Sequence, residues 1–194
     1  MKPKFPTKYI AFTTYFSDEH KAVDIANKVT VGNKKYDNKK IFMTHDGKVI
    51  TNSKASDYGY YIEYEYYEDG HRFVVGDGHF ASKSKLEVGK TYKMGDFIAT
   101  MGKTGKANAV HDHHRLSKDD VRVNPLDYEY VYPDQIVGTK EHAKLKYYTP
   151  DKDYKKLYED ELNKNKELQS ENKALEDKNK FLQDKIDKAI QDLK

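Results

Sequence analysis

From the amino terminus to about Pro150, apolar and polar residues alternate in short runs, and turn dipeptides such as Asp46-Gly47 and Asp69-Gly70 separate them. That period-two pattern predicts strands joined by hairpins, hence a mainly β, antiparallel fold. The clearest run is 58–67, where Tyr60, Ile62, Tyr64 and Tyr66 fall on one face and Tyr61, Glu63, Glu65 and Tyr67 on the other. It reads as ordinary sheet packing with tyrosines at the rim rather than as a ligand platform. After Thr149-Pro150 glycine and proline disappear and charged helix formers run to the end, which predicts a helix. Leu168, Leu175, Leu182 and Ala189 recur every seven residues, with Asn165, Asn172, Asn179, Ile186 and Leu193 at the companion position. This heptad predicts a C-terminal coiled coil. Asparagine at a seam position costs stability but fixes register and favours two parallel strands, so the expected assembly is a homodimer. The domain expectation is therefore 1–148 for a β domain and 149–194 for the helix.

Length agrees with this division, because 194 residues suffice for one core-bearing domain and an appendage. Charged residues make up 35% of the chain, yet the formal net charge is only +3 because lysines and carboxylates interleave. That argues against a nucleic-acid-binding stripe. With no cysteine in the chain, disulfides, thiolate metal sites and thiol nucleophiles are excluded, and a metal must be held by histidine and carboxylate. The opening residues Met1-Lys2-Pro3-Lys4-Phe5-Pro6 lead into mixed polar and aromatic positions, not into the apolar stretch of a secretion signal or membrane span. Export is expected to use another route. Abundant lysine, asparagine and tyrosine without tryptophan fit AT-rich coding sequence, as in a low-GC bacterium or its phage.

Four islands carry the candidate chemistry: His20-Lys21-Ala22-Val23-Asp24, Gly78-His79-Phe80, Gly102-Lys103-Thr104-Gly105 and His111-Asp112-His113. A histidine and an aspartate four apart usually mean only a surface hydrogen bond. His111 and His113 say more, because strand residues two apart face the same side roughly 6–7 Å from one another, so both imidazoles can enter one groove. A catalytic zinc takes three ligands of these types and leaves a position for water.

In order and spacing these islands resemble the lysostaphin-like zinc endopeptidases of bacterial cell walls, whose signatures are His-x-Gly-x-Asp, Tyr-x-His-Leu, Gly-x-Thr-Gly and His-Leu-His. Asp46-Gly47-Lys48-Val49-Ile50, Gly59-Tyr60-Tyr61-Ile62, the run Val88 to Ile98 and Val123-Asn124-Pro125-Leu126 resemble further parts of the family pattern. The resemblance covers roughly Tyr9 to Tyr132 and none of the helix. It implies zinc (Zn2+) held by His20, Asp24 and His113. It also implies His111 as acceptor of the water's proton, and His79 as oxyanion stabiliser or proton donor to the leaving amine. The implied function is hydrolysis of peptide bonds in the stem or cross-bridge of peptidoglycan. The context expected is a phage lysin or virion-associated protein, in the virion or released from the host cytoplasm, dimerised through its helix or docked by it to a virion component.

Departures from the pattern fall at Ala22, Asp77, Ala109-Val110, Asp112 and His114-Arg115. Asp112, His114 and Arg115 turn a normally apolar strand polar; a one-residue slip there would bring His114 rather than His113 to the metal. Two other readings compete: a catalytically inactive lysostaphin-like module of a phage tail or division complex, and a coiled-coil assembly protein whose β domain is incidental. His45, His71 and His142 match no signature and read as surface or turn residues.

Overall fold

The computed structural model describes residues 2–141, 144–148, 167, 168, 170–180, 182, 183, 185 and 191. The chain divides into two compact units, Met1–Tyr148 and Thr149–Lys194.

In chain order the strands of the first unit begin with β1 (Tyr9–Ile10), β2 (Phe12–Thr14), β3 (Val23–Ala26), β4 (Lys28–Val31), β5 (Lys34–Asp37), β6 (Lys40–Phe42), β7 (Gly47–Ala55) and β8 (Gly59–Glu68). They continue with β9 (His71–Phe80), β10 (Thr91–Tyr92), β11 (Phe97–Thr100), β12 (His111–Lys118), β13 (Val121–Val123), β14 (Tyr130–Val131), β15 (Ile136–Val137) and β16 (Lys146–Tyr147). The central sheet runs β10-β7-β8-β9-β12-β3-β2, with β13 added to β12, and each of its pairings is antiparallel. Its middle strands β8 and β9 are joined at Asp69-Gly70, where both residues have positive φ, as a tight hairpin turn requires.

Alternation along β8 puts Ile62, Tyr64 and Tyr66 into the core, at 0%, 0% and 3% exposure. Tyr64 and Tyr66 are thus core residues, not rim residues. A buried phenol needs a polar partner, and Tyr64 has one: its hydroxyl donates to Thr44 Oγ1 and accepts from the Thr44 N–H, both at 2.8 Å. Asp46-Gly47 also differs from expectation. β6 pairs with β11 and β7 with β8 and β10, so no hairpin forms there. Asp46 instead accepts from the Met94 N–H and from Lys93 Nζ, each at 2.8 Å, pinning the turn before β11.

In the second unit residues 170–180 are helical, and Leu168, Leu175 and Leu182 are exposed by about half. Asn165, Ile186, Ala189 and Leu193 of the heptad lie outside the described residues, as does His142.

Candidate active site

β12 lies between β9 and β3, and its register fixes the site: His113 stands opposite Asp24 on one side and Gly78 on the other. Residues paired across an antiparallel ladder project to the same face, so His113 and Asp24 face one groove together with His111, two residues back. His114 pairs with Val23 and Asp77 and faces the core, fully buried. No one-residue slip occurs, and His113 rather than His114 reaches the groove.

Three imidazole nitrogens gather around the Asp24 carboxylate. Its Oδ1 lies 3.0 Å from His20 Nε2, 3.1 Å from His113 Nδ1 and 3.5 Å from His111 Nε2. The donor atoms of His20, Asp24 and His113 all lie within 4.8 Å of one another, as do those of His79, His111 and His113. Two histidines and a carboxylate form a donor set suited to zinc. Burial works against ionising Asp24, but the His113 hydrogen bond and the neighbouring His111 and His20 outweigh it and hold the carboxyl below its ordinary range. Burial likewise pulls the His113 imidazole down, favouring the neutral form that a metal requires.

The other two histidines are held by backbone. His79 Nδ1 lies 2.8 Å from the Thr104 carbonyl and His111 Nδ1 lies 3.0 Å from the Ala109 carbonyl. A carbonyl only accepts, so each Nδ1 carries its proton and each neutral ring keeps a bare Nε2. His79 lies with Gly78 in a β-bulge opposite β8 and sits at φ +61°, an uncommon conformation for a residue with a side chain. Its N–H donates to the Tyr58 carbonyl at 2.7 Å. Burial lowers the pKa of its ring, the Thr104 carbonyl opposing.

Thr104 belongs to the Gly102–Gly105 island, whose glycines allow backbone to touch backbone. A Cβ on Gly105 would stand 2.3 Å from the Gly59 nitrogen and 2.4 Å from the Asp57 oxygen. That contact lets Thr104 Oγ1 accept from the Tyr60 N–H and donate to the Phe80 carbonyl, at 3.0 and 2.8 Å. The island's function is therefore to seat the strand end that carries His79.

All five histidine and aspartate positions picked from the sequence line one cleft of about 430 Å³, walled by Thr13 and Thr14 on one side and by Tyr58, Lys106 and Asn108 on the other, within the range of small-molecule and peptide sites. Tyr58 and Arg115 went unrecognised in the sequence. The Tyr58 ring lies 5.4 Å from that of His113, and the Arg115 guanidinium stacks 4.1 Å above the same tyrosine while donating to Glu63 at 2.7 Å. Arg115 fits because it lies over Gly76, where a Cβ would come within 2.6 Å of its Nε. His45 and His71 stand apart: His45 stacks on Tyr66, and His71 is within 2.6 Å of the exposed Asp119 carboxylate.

Residues 18–125, more than half of the chain, match the family model for peptidase family M23. The chain belongs to peptidase family M23. The matched residues include every histidine and aspartate of the cleft. Among solved structures, the M23 domain is similar to Csd3 of Helicobacter pylori, with 24% identity and a TM-score of 0.51 over 68% of this chain and 34% of that one. It is also similar to a zinc-containing peptidase from Vibrio cholerae, with 21% identity and a TM-score of 0.50 over 63% of this chain and 39% of that one. At these identities the likeness is one of fold, and the chain spans only a third to two fifths of the length of those proteins. No curated protein matches this sequence.

Proposed function

We propose that this M23 peptidase is a zinc endopeptidase that hydrolyses peptide bonds in the stem or cross-bridge of peptidoglycan. The observation that carries the reading is the convergence of His20 Nε2 and His113 Nδ1 on one oxygen of Asp24 at 3.0 and 3.1 Å, in a cleft open to a peptide. These three residues would hold the zinc. When bound, it supplies Lewis acidity, lowering the pKa of water toward neutrality and polarising the scissile carbonyl.

The chain's own groups supply the remaining proton chemistry. His111, its Nδ1–H engaged by Ala109, offers a bare Nε2 to take a proton from the attacking water. His79 is oriented the same way by Thr104. Its depressed pKa makes its protonated form a stronger acid than an ordinary imidazolium, suited to stabilising an oxyanion or protonating the leaving amine. Tyr58, braced by Arg115, holds the cleft wall beside His113.

The finer context is part of the same proposal. Exposed Leu168, Leu175 and Leu182 at heptad spacing support dimerisation through the helix or docking to a virion component. The heptad-spaced helix supports a phage lysin or virion-associated enzyme, acting on the wall from the virion or after release from the host. The test is zinc content and release of new amino termini from purified peptidoglycan, for the wild type, His113→Ala and His79→Ala. The expected result is loss of both zinc and amine release in His113→Ala, and loss of amine release alone in His79→Ala. A wild type that neither binds zinc nor releases amines would establish the inactive wall-binding module instead.

A further inference from the structure

On the opposite face of the same strand lies a second group of chemistry-bearing side chains. Asp112 and His114 alternate with His111 and His113 along β12 and point into the core, where His114 meets Asp77 of β9 across the ladder. Asp77, Asp112, His114 and Glu129 are all fully buried. His114 Nδ1 lies 2.6 Å from Asp77 Oδ1, and its Nε2 lies 2.8 Å from Glu129 Oε1. Glu129 is delivered by the Asn124-Pro125-Leu126 turn, in which Asn124 caps the short 3-10 helix Pro125–Asp127 and the Glu129 N–H donates to the Pro125 carbonyl.

Among the described residues, both carboxylate oxygens of Asp112, Asp77 Oδ2 and Glu129 Oε2 have no hydrogen-bond partner in the protein. Three carboxyl groups face one imidazole, in a layer whose neighbours across the ladders include Val23, Ile25 and Ile62. An unpaired carboxylate in such surroundings costs several kcal/mol or is held protonated instead, and in either form the Asp112 oxygens are left without a protein partner among the described residues.

We propose that Asp77, Asp112 and His114 bind a second divalent transition-metal ion, on the core side of the sheet from the cleft. Their donor atoms already lie within 4.8 Å of one another. Donors around a tetrahedral zinc are about 3.4 Å apart, between the 2.6 Å of the His114 Nδ1–Asp77 Oδ1 pair and the 4.8 Å that bounds the group, so small side-chain rotations make room for the ion. The ion takes His114 through Nδ1 and occupies the Asp112 oxygens that otherwise have no partner. Glu129 then accepts the Nε2–H of a neutral imidazole, the carboxylate–histidine–metal arrangement that orients a ligating ring. One nitrogen and carboxylate oxygens suit zinc or manganese, whereas calcium asks for six or more oxygens. With every ligand buried, the ion cross-links β9 to β12 and does not meet substrate.

The test uses zinc as the probe on the full chain: bound metal after equilibration and dialysis, and thermal melting with and without zinc. Expected contents are two equivalents in the wild type, one in Asp112→Leu, one in His20→Ala/His113→Ala and none in the triple variant. Zinc is expected to raise the melting temperature of His20→Ala/His113→Ala, and this shift is lost when Asp112→Leu is added; Asp77→Asn serves if the leucine variant does not fold. A hydrogen-bonded cluster without metal would instead give one equivalent in the wild type, unchanged by Asp112→Leu or Asp77→Asn and lost in His20→Ala/His113→Ala, and no zinc-dependent shift in that double variant. That result overturns the second site and leaves the cleft's zinc untouched.

Discussion

The contact between Gly105 and the Asp57–Gly59 backbone can be tested by adding a single methyl group. In Gly105→Ala two costs add. The residue holds φ +72°, where a side chain costs about 1–2 kcal/mol. The new Cβ would sit 2.3 Å from a backbone nitrogen, and relieving such overpacking costs typically 1–3 kcal/mol. The sum is about 2–5 kcal/mol, and at roughly 2–4 °C per kcal/mol for a domain of this size the melting temperature should fall by roughly 4–20 °C. Gly89→Ala is the control: φ is +87° but nothing lies within 4 Å, so only the strain of about 1–2 kcal/mol remains. Function separates the two more sharply. Ordinary contact begins at 3.4 Å, so the Gly105 loop must retreat by about 1 Å, drawing the Thr104 carbonyl from His79, and a misplacement of that size can cost on the order of 10²-fold in rate. Amine release from peptidoglycan, compared at a temperature where both variants are folded, should fall about 10–100-fold in Gly105→Ala and stay near wild type in Gly89→Ala. Equal activity in the two variants would refute the claim that this loop seats His79.

Other outcomes follow from single contacts. Tyr64→Phe leaves the buried Thr44 N–H without its acceptor and should cost about 1–3 kcal/mol in urea unfolding, with zinc content unchanged. Asp46 has its pKa depressed by Lys93 and by the Met94 N–H. Its stabilisation is therefore present above the unfolded value of about 3.9 and is lost as pH falls through the lower folded value; Asp46→Asn should flatten the acid side of the stability profile, and an unchanged slope would contradict the role given to that carboxylate. A chain ending at Tyr148 should keep its rate of amine release while its mass in solution drops from dimer to monomer; an unchanged mass would contradict dimerisation by the helix.

The cleft was legible because its determinants are local in sequence. Strand alternation alone aligns His111 with His113, and the four islands carry the family pattern into which His20, Asp24 and His79 fall. What escaped notice depends on pairings distant in sequence. Nothing in the chain near His114 indicates that its partners are Asp77, 37 residues earlier, and Glu129, 15 residues later; the β9–β12 register brings in the first and the turn at Asn124–Asp127 the second. The departures at Asp112 and His114, which the sequence shows as a loss of apolar character, meet the separate departure at Asp77 in one buried cluster. Tyr64 and Tyr66 were misplaced for a related reason: alternation assigns a face but not its depth, and β7 and β9 cover the strand on both sides.

The central claim, zinc-dependent cleavage of wall peptides, is tested most directly by following peptidoglycan digestion with the chelated and the zinc-restored protein, scoring new amino termini and new reducing sugar ends separately. The account predicts amine release that disappears on chelation, returns with zinc and is accompanied by no new reducing ends. Amine release indifferent to chelation, or reducing ends without amines, would contradict it.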